Sequence, residues 1–113
     1  AVMDLATVEG LERLLLVGSL EECAKACADL LAATPPTQQL RNPLQIRLCY
    51  CAIQSAFSTS KQKQLQDQLE AQHGGLHALP PQVFLLWQLL QLEAGAGALQ
   101  LCCQQIHDYF QHL

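Results

Sequence analysis

The chain has 113 residues, enough for one domain with a packed core and too few for two. Half of the residues are apolar, 14% are charged and 5% are aromatic, which excludes wholesale disorder and predicts an aliphatic core of Leu, Ala and Val. Only six Lys and Arg stand against a formal net charge of -4, so there is no basic stripe for phosphates and nucleic-acid binding is not expected.

The first periodic segment, Asp4 to Val17, places Leu5, Val8, Leu11, Leu14 and Leu15 on one helical face. Asp4 suits a helix N-terminus, and Gly18 suits the left-handed position that ends one. Ser19 and Glu22 have capping-box spacing and predict the start of a second helix, with Leu20, Cys23, Ala24, Cys27, Leu30 and Leu31 inward. Thr34-Pro35-Pro36-Thr37 stops it. Asn42 and Pro43 open a third helix as N-cap and first helical residue. Its stripe is Leu44, Leu48, Cys51, Ala52 and Ser55, widened by Ile46, Cys49 and Ile53. A Ser58-Thr59-Ser60 connection leads to a polar helix, Lys61 to Gln72, whose large apolar residues are Leu65 and Leu69. That helix should lie on the outside. The Gln-rich run Gln62 to Gln72 reads as its solvated face, and His73-Gly74-Gly75 ends it.

Leu79-Pro80-Pro81 leads into Gln82 to Glu93, the most apolar segment. Val83, Phe84, Leu86, Trp87, Leu89 and Leu90 cover most of its circumference, the pattern of a central helix. Gly95-Ala96-Gly97 makes the next turn. A last helix runs from Ala98 to about His112, with Leu99, Cys102, Ile106, Tyr109, Phe110 and Leu113 inward. No segment alternates with period two. No stretch approaches the roughly 20 apolar residues of a spanning helix, because Gln88 and Gln91 interrupt the longest apolar run. The N-terminus lacks the basic region and apolar block of a signal peptide.

Chemistry-bearing residues are present without a recognisable arrangement. The six cysteines fall inside apolar helical patterns, which predicts reduced thiols serving as small core residues in a cytosolic protein. Cys23-x3-Cys27, Cys49-x-Cys51 and Cys102-Cys103 with His107 and His112 are the raw material for a zinc site, but their spacings match no ribbon or finger. Cys103 and His107 share a helix face without a third orienting group. His73 and His77 flank a Gly turn as solvated residues, and Trp87 reads as core. No nucleotide-binding or hydrolase motif occurs. The expectation is an interaction domain without catalysis, metal or cofactor.

The segments pair as Asp4–Ala33, Pro43–Gln72 and Pro81–Leu113, with starts about 40 residues apart, a repeat-protein spacing. Gly18, Cys23, Cys27 and Leu30 share their spacing with Gly97, Cys102, Ile106 and Tyr109, and more weakly with Ser60, Leu65, Leu69 and Gln72. In the first pair, Gly18, Cys23, Cys27 and Pro35 also occupy the turn, small, larger and closing positions of a tetratricopeptide repeat. The expected fold is all-α: three stacked antiparallel helical hairpins, about six helices, in a tetratricopeptide-like α-solenoid.

Three blocks carry a family resemblance: LERLLLVGSLEECAKACADLL (Leu11 to Leu31), CAIQSAF (Cys51 to Phe57) and LPPQVFLLWQLLQLEAGAGAL (Leu79 to Leu99). With them the chain resembles the cytosolic domain of the tail-anchored peroxins that recruit the peroxisomal AAA ATPase complex. The relatives are the mammalian docking peroxin and the plant aberrant-peroxisome-morphology type. The resemblance implies an adaptor on the cytosolic face of the peroxisomal membrane. Its partner would be a peroxisomal AAA ATPase subunit that extracts the import receptor for recycling, in support of matrix protein import. It also implies a C-terminal membrane anchor, which no stretch of this chain supplies. Implied contacts are Glu12, Leu14, Leu15 and Glu21 in the first hairpin, and Ser58 and Lys61 at the turn after the third helix. The alternatives are a generic tetratricopeptide-like scaffold that holds a peptide in its groove, and a zinc or thiol protein.

Overall fold

Two helix starts are fixed by side-chain caps. Asp4 accepts a hydrogen bond from the Thr7 backbone N–H at 2.8 Å and so opens α1, Leu5–Val17. Asn42 accepts from the Gln45 N–H at 2.8 Å, and the Gln45 side chain returns to the Asn42 N–H at 3.3 Å. This reciprocal pair opens α3, Pro43–Ser58. In a computed structural model, residues 4–34, 41–95 and 98–113 are described. Among them are six α-helices and no strand, with α2 at Leu20–Ala33, α4 at Gln62–His73, α5 at Pro81–Ala94 and α6 at Ala98–Gln111. A single 3-10 turn, Leu76–Ala78, joins α4 to α5.

The helix ends follow the glycines. Gly18 (φ 84°) lets its own N–H reach Leu15 O and the Ser19 N–H reach Leu14 O, satisfying two terminal carbonyls of α1. Gly74 (φ 90°) ends α4 in the same left-handed conformation. The expected capping box at Ser19 does not form, since Ser19 makes no side-chain cap bond. The two bonds that tie Gly18 and Ser19 to the end of α1 already set the path into α2. Pro35, Pro36, Thr37, Ala96 and Gly97 lie outside the described residues, and with them the double-proline stop and the equivalence of Gly18 and Gly97.

α3 is the hub. It contacts α1, α2, α4 and α5, and eight of its residues are buried: Gln45, Leu48, Cys49, Cys51, Ala52, Ile53, Ser55 and Ala56. The expectation that α5 is central is corrected here. Val83, Phe84, Trp87 and Gln88 of α5 face the core, but Leu89 is 55% exposed and Leu85 and Leu92 also reach solvent. α5 is covered on one side by α3 and on another by α6, and its leucine face is left open.

α4 is the outer helix that its polarity predicts, buried through Leu65 and Leu69. It lies along α2 in one register. Lys61 Nζ reaches Glu21 at 2.6 Å, Gln68 Nε2 donates to Ala28 O at 2.9 Å, and Gln72 Nε2 donates to Ala32 O at 3.2 Å. Each pair is 40 residues apart, so the two helices run in the same direction.

α6 binds α5 through amides as much as through apolar contacts. Gln88 and Gln91 both donate to Gln105 Oε1, at 3.0 and 3.1 Å, and the Cys102 thiol points to Gln88 O at 3.5 Å. Tyr109 stacks on Phe84 at 4.0 Å and donates its hydroxyl to Leu79 O at 2.5 Å. The inward stripe is therefore Cys102, Gln105, Ile106 and Tyr109. Leu99, Phe110 and Leu113, expected inward, are exposed: Leu99 and Leu113 sit at the ends of the helix, beyond the residues that cover its middle, and Phe110 lies on the outer side of Tyr109. Leu5 is exposed for the same reason at the start of α1.

His73 is more enclosed than a solvated turn residue. Its Nε2 is buried without a hydrogen-bond partner among the described residues, and burial holds its pKa below the ordinary histidine value. The unfolded chain therefore binds a proton at this position more readily than the folded one. Stability should be full above the ordinary histidine range and should fall as the pH drops below about 6.5. Urea midpoints measured from about pH 7 to about pH 5 should show this slope, and His73→Gln should flatten it. An unchanged slope in the variant would assign the effect to another group.

Candidate docking surface

The most exposed large apolar side chain among the described residues, Leu16 at 87%, lines an open groove of about 600 Å³. The groove is framed by four helix ends. Leu15 and Leu16 come from the end of α1, Leu20 from the start of α2, Phe57 and Ser58 from the end of α3, and Leu90 and Ala94 from the end of α5. Gly18 creates this convergence, because its left-handed backbone reverses the chain directly after Leu16 and Val17. The floor is fixed from below: Phe57 meets the Trp87 ring edge-on at 5.0 Å, and Leu15 and Leu90 pack against the core. Among the described residues, Glu93 is its one charged lining residue. Gln54 also borders a second, shallower groove lined by Tyr50, Gln82, Leu85, Leu86 and Leu89 between α3 and α5. Several large apolar side chains thus share one open surface at the helix ends, which makes this groove the candidate docking surface.

The six residues implied by the resemblance fall in three different settings. Leu15 and Ser58 come together in this groove. Leu14 packs against the core and does not line it. Glu12 is held by Arg47 of α3 in a two-pronged ion pair, with Arg47 Nε at 2.9 Å from Oε2. That guanidinium keeps the Glu12 carboxyl below the usual carboxylate range. Glu21 and Lys61 pair with each other at 2.6 Å across α2 and α4, beside a different cleft lined by Glu22, Lys25 and Gln68. Both ion pairs are partly open to solvent, where such a pair contributes about 0–1 kcal/mol. Within the chain, Glu12 therefore links α1 to α3, and Glu21 links α2 to the start of α4 through Lys61.

Leu16, Leu20, Gln54, Phe57, Leu90, Glu93 and Ala94 are the lining residues that sequence reasoning did not name as contacts. One signal was present. Leu16 and Val17 extend the apolar run of α1 beyond the width of its core-facing stripe, immediately before a turn.

The cysteines do not assemble a site. Five are buried, and Cys103 is exposed. Cys23 and Cys27 lie 3.9 Å apart at the α1–α2–α3 junction, with the Cys23 thiol directed at Leu11 O. Burial pushes the Cys49 and Cys51 thiols up to about 12 and raises Cys27 further, which suppresses the reactive thiolate. Among the described residues, no group of three or more His, Cys, Asp or Glu could hold a metal ion. Titration of the native protein with a thiol reagent should show one fast-reacting group, Cys103, and six after denaturation. A second fast thiol in the native state would contradict the burial described.

No protein-family model, curated protein or solved structure matches this chain. No helix among the described residues is long and apolar enough to cross a membrane.

Proposed function

We propose that this chain is the docking domain of an adaptor that recruits the peroxisomal AAA ATPase complex to the peroxisome surface. In that role it supports recycling of the import receptor and hence matrix protein import. The observation that carries the reading is the apolar groove at the converging ends of α1, α2, α3 and α5. It gathers residues from all three blocks of the peroxin resemblance: Leu15, Leu16 and Leu20 from the first, Phe57 from the second, Leu90 and Ala94 from the third. The mechanism is tethering without chemistry.

The architecture we propose is three stacked hairpins, α1–α2, α3–α4 and α5–α6, in a tetratricopeptide-like array. Three observations support it. The two helices of each hairpin touch. The first helices of successive hairpins touch, α1 with α3 and α3 with α5. The constant 40-residue offset between α2 and α4 is the register of equivalent helices in a repeat. The same register is compatible with a generic scaffold for another complex, so the identity of the partner decides between the two readings.

Affinity purification of the full-length protein from cells should recover the AAA ATPase pair, and loss of the gene should leave peroxisomal matrix proteins in the cytosol. Normal matrix import in a null strain, or recovery of chaperones or trafficking factors in place of the ATPase, would refute the assignment.

A further inference from the structure

The groove at the helix ends has an electrical sign as well as an apolar floor. Three of the helices that frame it, α1, α3 and α5, reach it with their C-terminal ends, through Leu15 and Leu16, Phe57 and Ser58, and Leu90 and Ala94. A helix C-terminus carries a partial negative charge of roughly half an elementary unit. None of the three has a basic residue in its last turn to offset it. The fourth helix, α2, arrives by its N-terminal end through Leu20, and Glu21 and Glu22 in its first turn offset the positive charge there.

Glu93 adds a full negative charge at the same place. It is exposed, lies in the last turn of α5, and belongs to none of the ion pairs among the described residues. No Lys or Arg of the described residues lines the groove. Arg13 stands one turn before Leu16 on α1 but is not part of the lining.

The apolar floor alone would suit a second copy of this chain as well as a different protein. The charge separates the two. A copy laid groove to groove about a two-fold axis would set Glu93 and three helix C-termini against their own equivalents, and like charges across an interface are unfavourable. The complementary occupant is a different protein whose segment is both apolar and basic.

We propose that the groove receives a segment of the partner that packs large apolar side chains against Leu16, Leu20, Phe57 and Leu90 and sets a lysine or arginine against Glu93 and the C-terminal end of α5. The proposal rests on the ATPase reading of the groove and adds the chemistry of what enters it. The apolar side chains, desolvated at the centre, supply most of the affinity. The cation, at a rim open to solvent, acts on the rate of encounter and on the choice of partner more than on the lifetime of the complex.

The test is the association rate of the full-length protein with the purified ATPase complex, followed by stopped-flow fluorescence at several salt concentrations. The parent on-rate should fall as salt rises from about 50 to about 500 mM, and Glu93→Gln should flatten that fall. Glu93→Lys should lower the on-rate at low salt by about tenfold and change the off-rate by less than about twofold. Glu70→Gln, on α4, removes the same unit of charge away from the groove and should keep the parent salt dependence. If Leu16→Asp blocks binding while both Glu93 variants associate like the parent, the partner's cation is ruled out and the groove stands. The same holds if Glu70→Gln flattens the salt dependence as much as Glu93→Gln, since the effect would then belong to the overall charge. Parent-like binding by Leu16→Asp would remove the groove and this inference together.

Discussion

Replacing Trp87 with alanine should lower the unfolding free energy by about 3–5 kcal/mol, the usual cost of emptying a buried Phe or Trp site. Trp87 is among the largest fully buried side chains, at 1% exposure. It joins the two halves of the core: its ring receives Phe57 of α3 edge-on, and its indole N–H donates to Gln91 Oε1 at 3.3 Å. Gln91 in turn bonds Gln105 of α6, so the substitution opens a cavity between α3 and α5 and loosens the amide ladder that holds α6. A domain of this size has about 5–15 kcal/mol of stability in total, so the variant should be largely unfolded or strongly aggregation-prone at 37 °C. Urea unfolding followed by far-UV circular dichroism measures the loss. Trp87→Phe, which fills most of the volume and forfeits the hydrogen bond, should lose less. A loss under about 1 kcal/mol for Trp87→Ala would mean that α5 does not close the core in the way described.

The second large effect is on binding. Leu16→Asp should leave the unfolding free energy within about 0.5 kcal/mol of the parent, because an exposed surface position carries little folding energy. The same change should weaken ATPase binding by about tenfold to a thousandfold, the range of a hot-spot leucine exchanged for a charge in a desolvated contact. Leu90→Asp is a weaker test, since Leu90 also supports the core. Glu21→Gln serves as the contrast: its charge is matched by Lys61, so it should change ATPase binding by less than about twofold. Competition binding with purified ATPase reads all three. If Glu21→Gln abolished binding and Leu16→Asp did not, the docking surface would lie along α2 and α4.

Local chemistry made much of the helix layout legible in the sequence. Asp4, Gly18, Asn42 with Pro43, and Gly74 each mark a boundary through an interaction within four or five residues, and each boundary stands where the pattern puts it. The buried faces of α2 and α4 were legible for the same reason, since period alone separates Cys23, Cys27, Leu30 and Leu31, or Leu65 and Leu69, from their polar neighbours. α5 and α6 were read less well. Their apolar residues exceed what two neighbours can cover, and periodicity does not say which leucines are left over. Glutamine also took core positions: Gln45 and Gln88 are buried because α3 and α5–α6 satisfy their amides, a fact fixed by partners and invisible in hydropathy.

The candidate surface was less legible still. Leu15 and Ser58 are 43 positions apart in sequence and meet only because α1 and α3 end on the same side of the molecule. Glu12 and Glu21, contacts implied by the family resemblance, form ion pairs with Arg47 and Lys61, which lie 35 and 40 residues away and could not be paired from sequence.

The central claim is that the groove at the ends of α1, α2, α3 and α5 docks the peroxisomal AAA ATPase. The most direct test is amide hydrogen exchange of the full-length protein, alone and with the purified ATPase complex. The account predicts slowed exchange at Leu15 to Leu20, Gln54 to Ser58 and Leu90 to Ala94, with α4 unchanged. An ATPase that binds with protection confined to α4 or α6, or that does not bind at all, would contradict it.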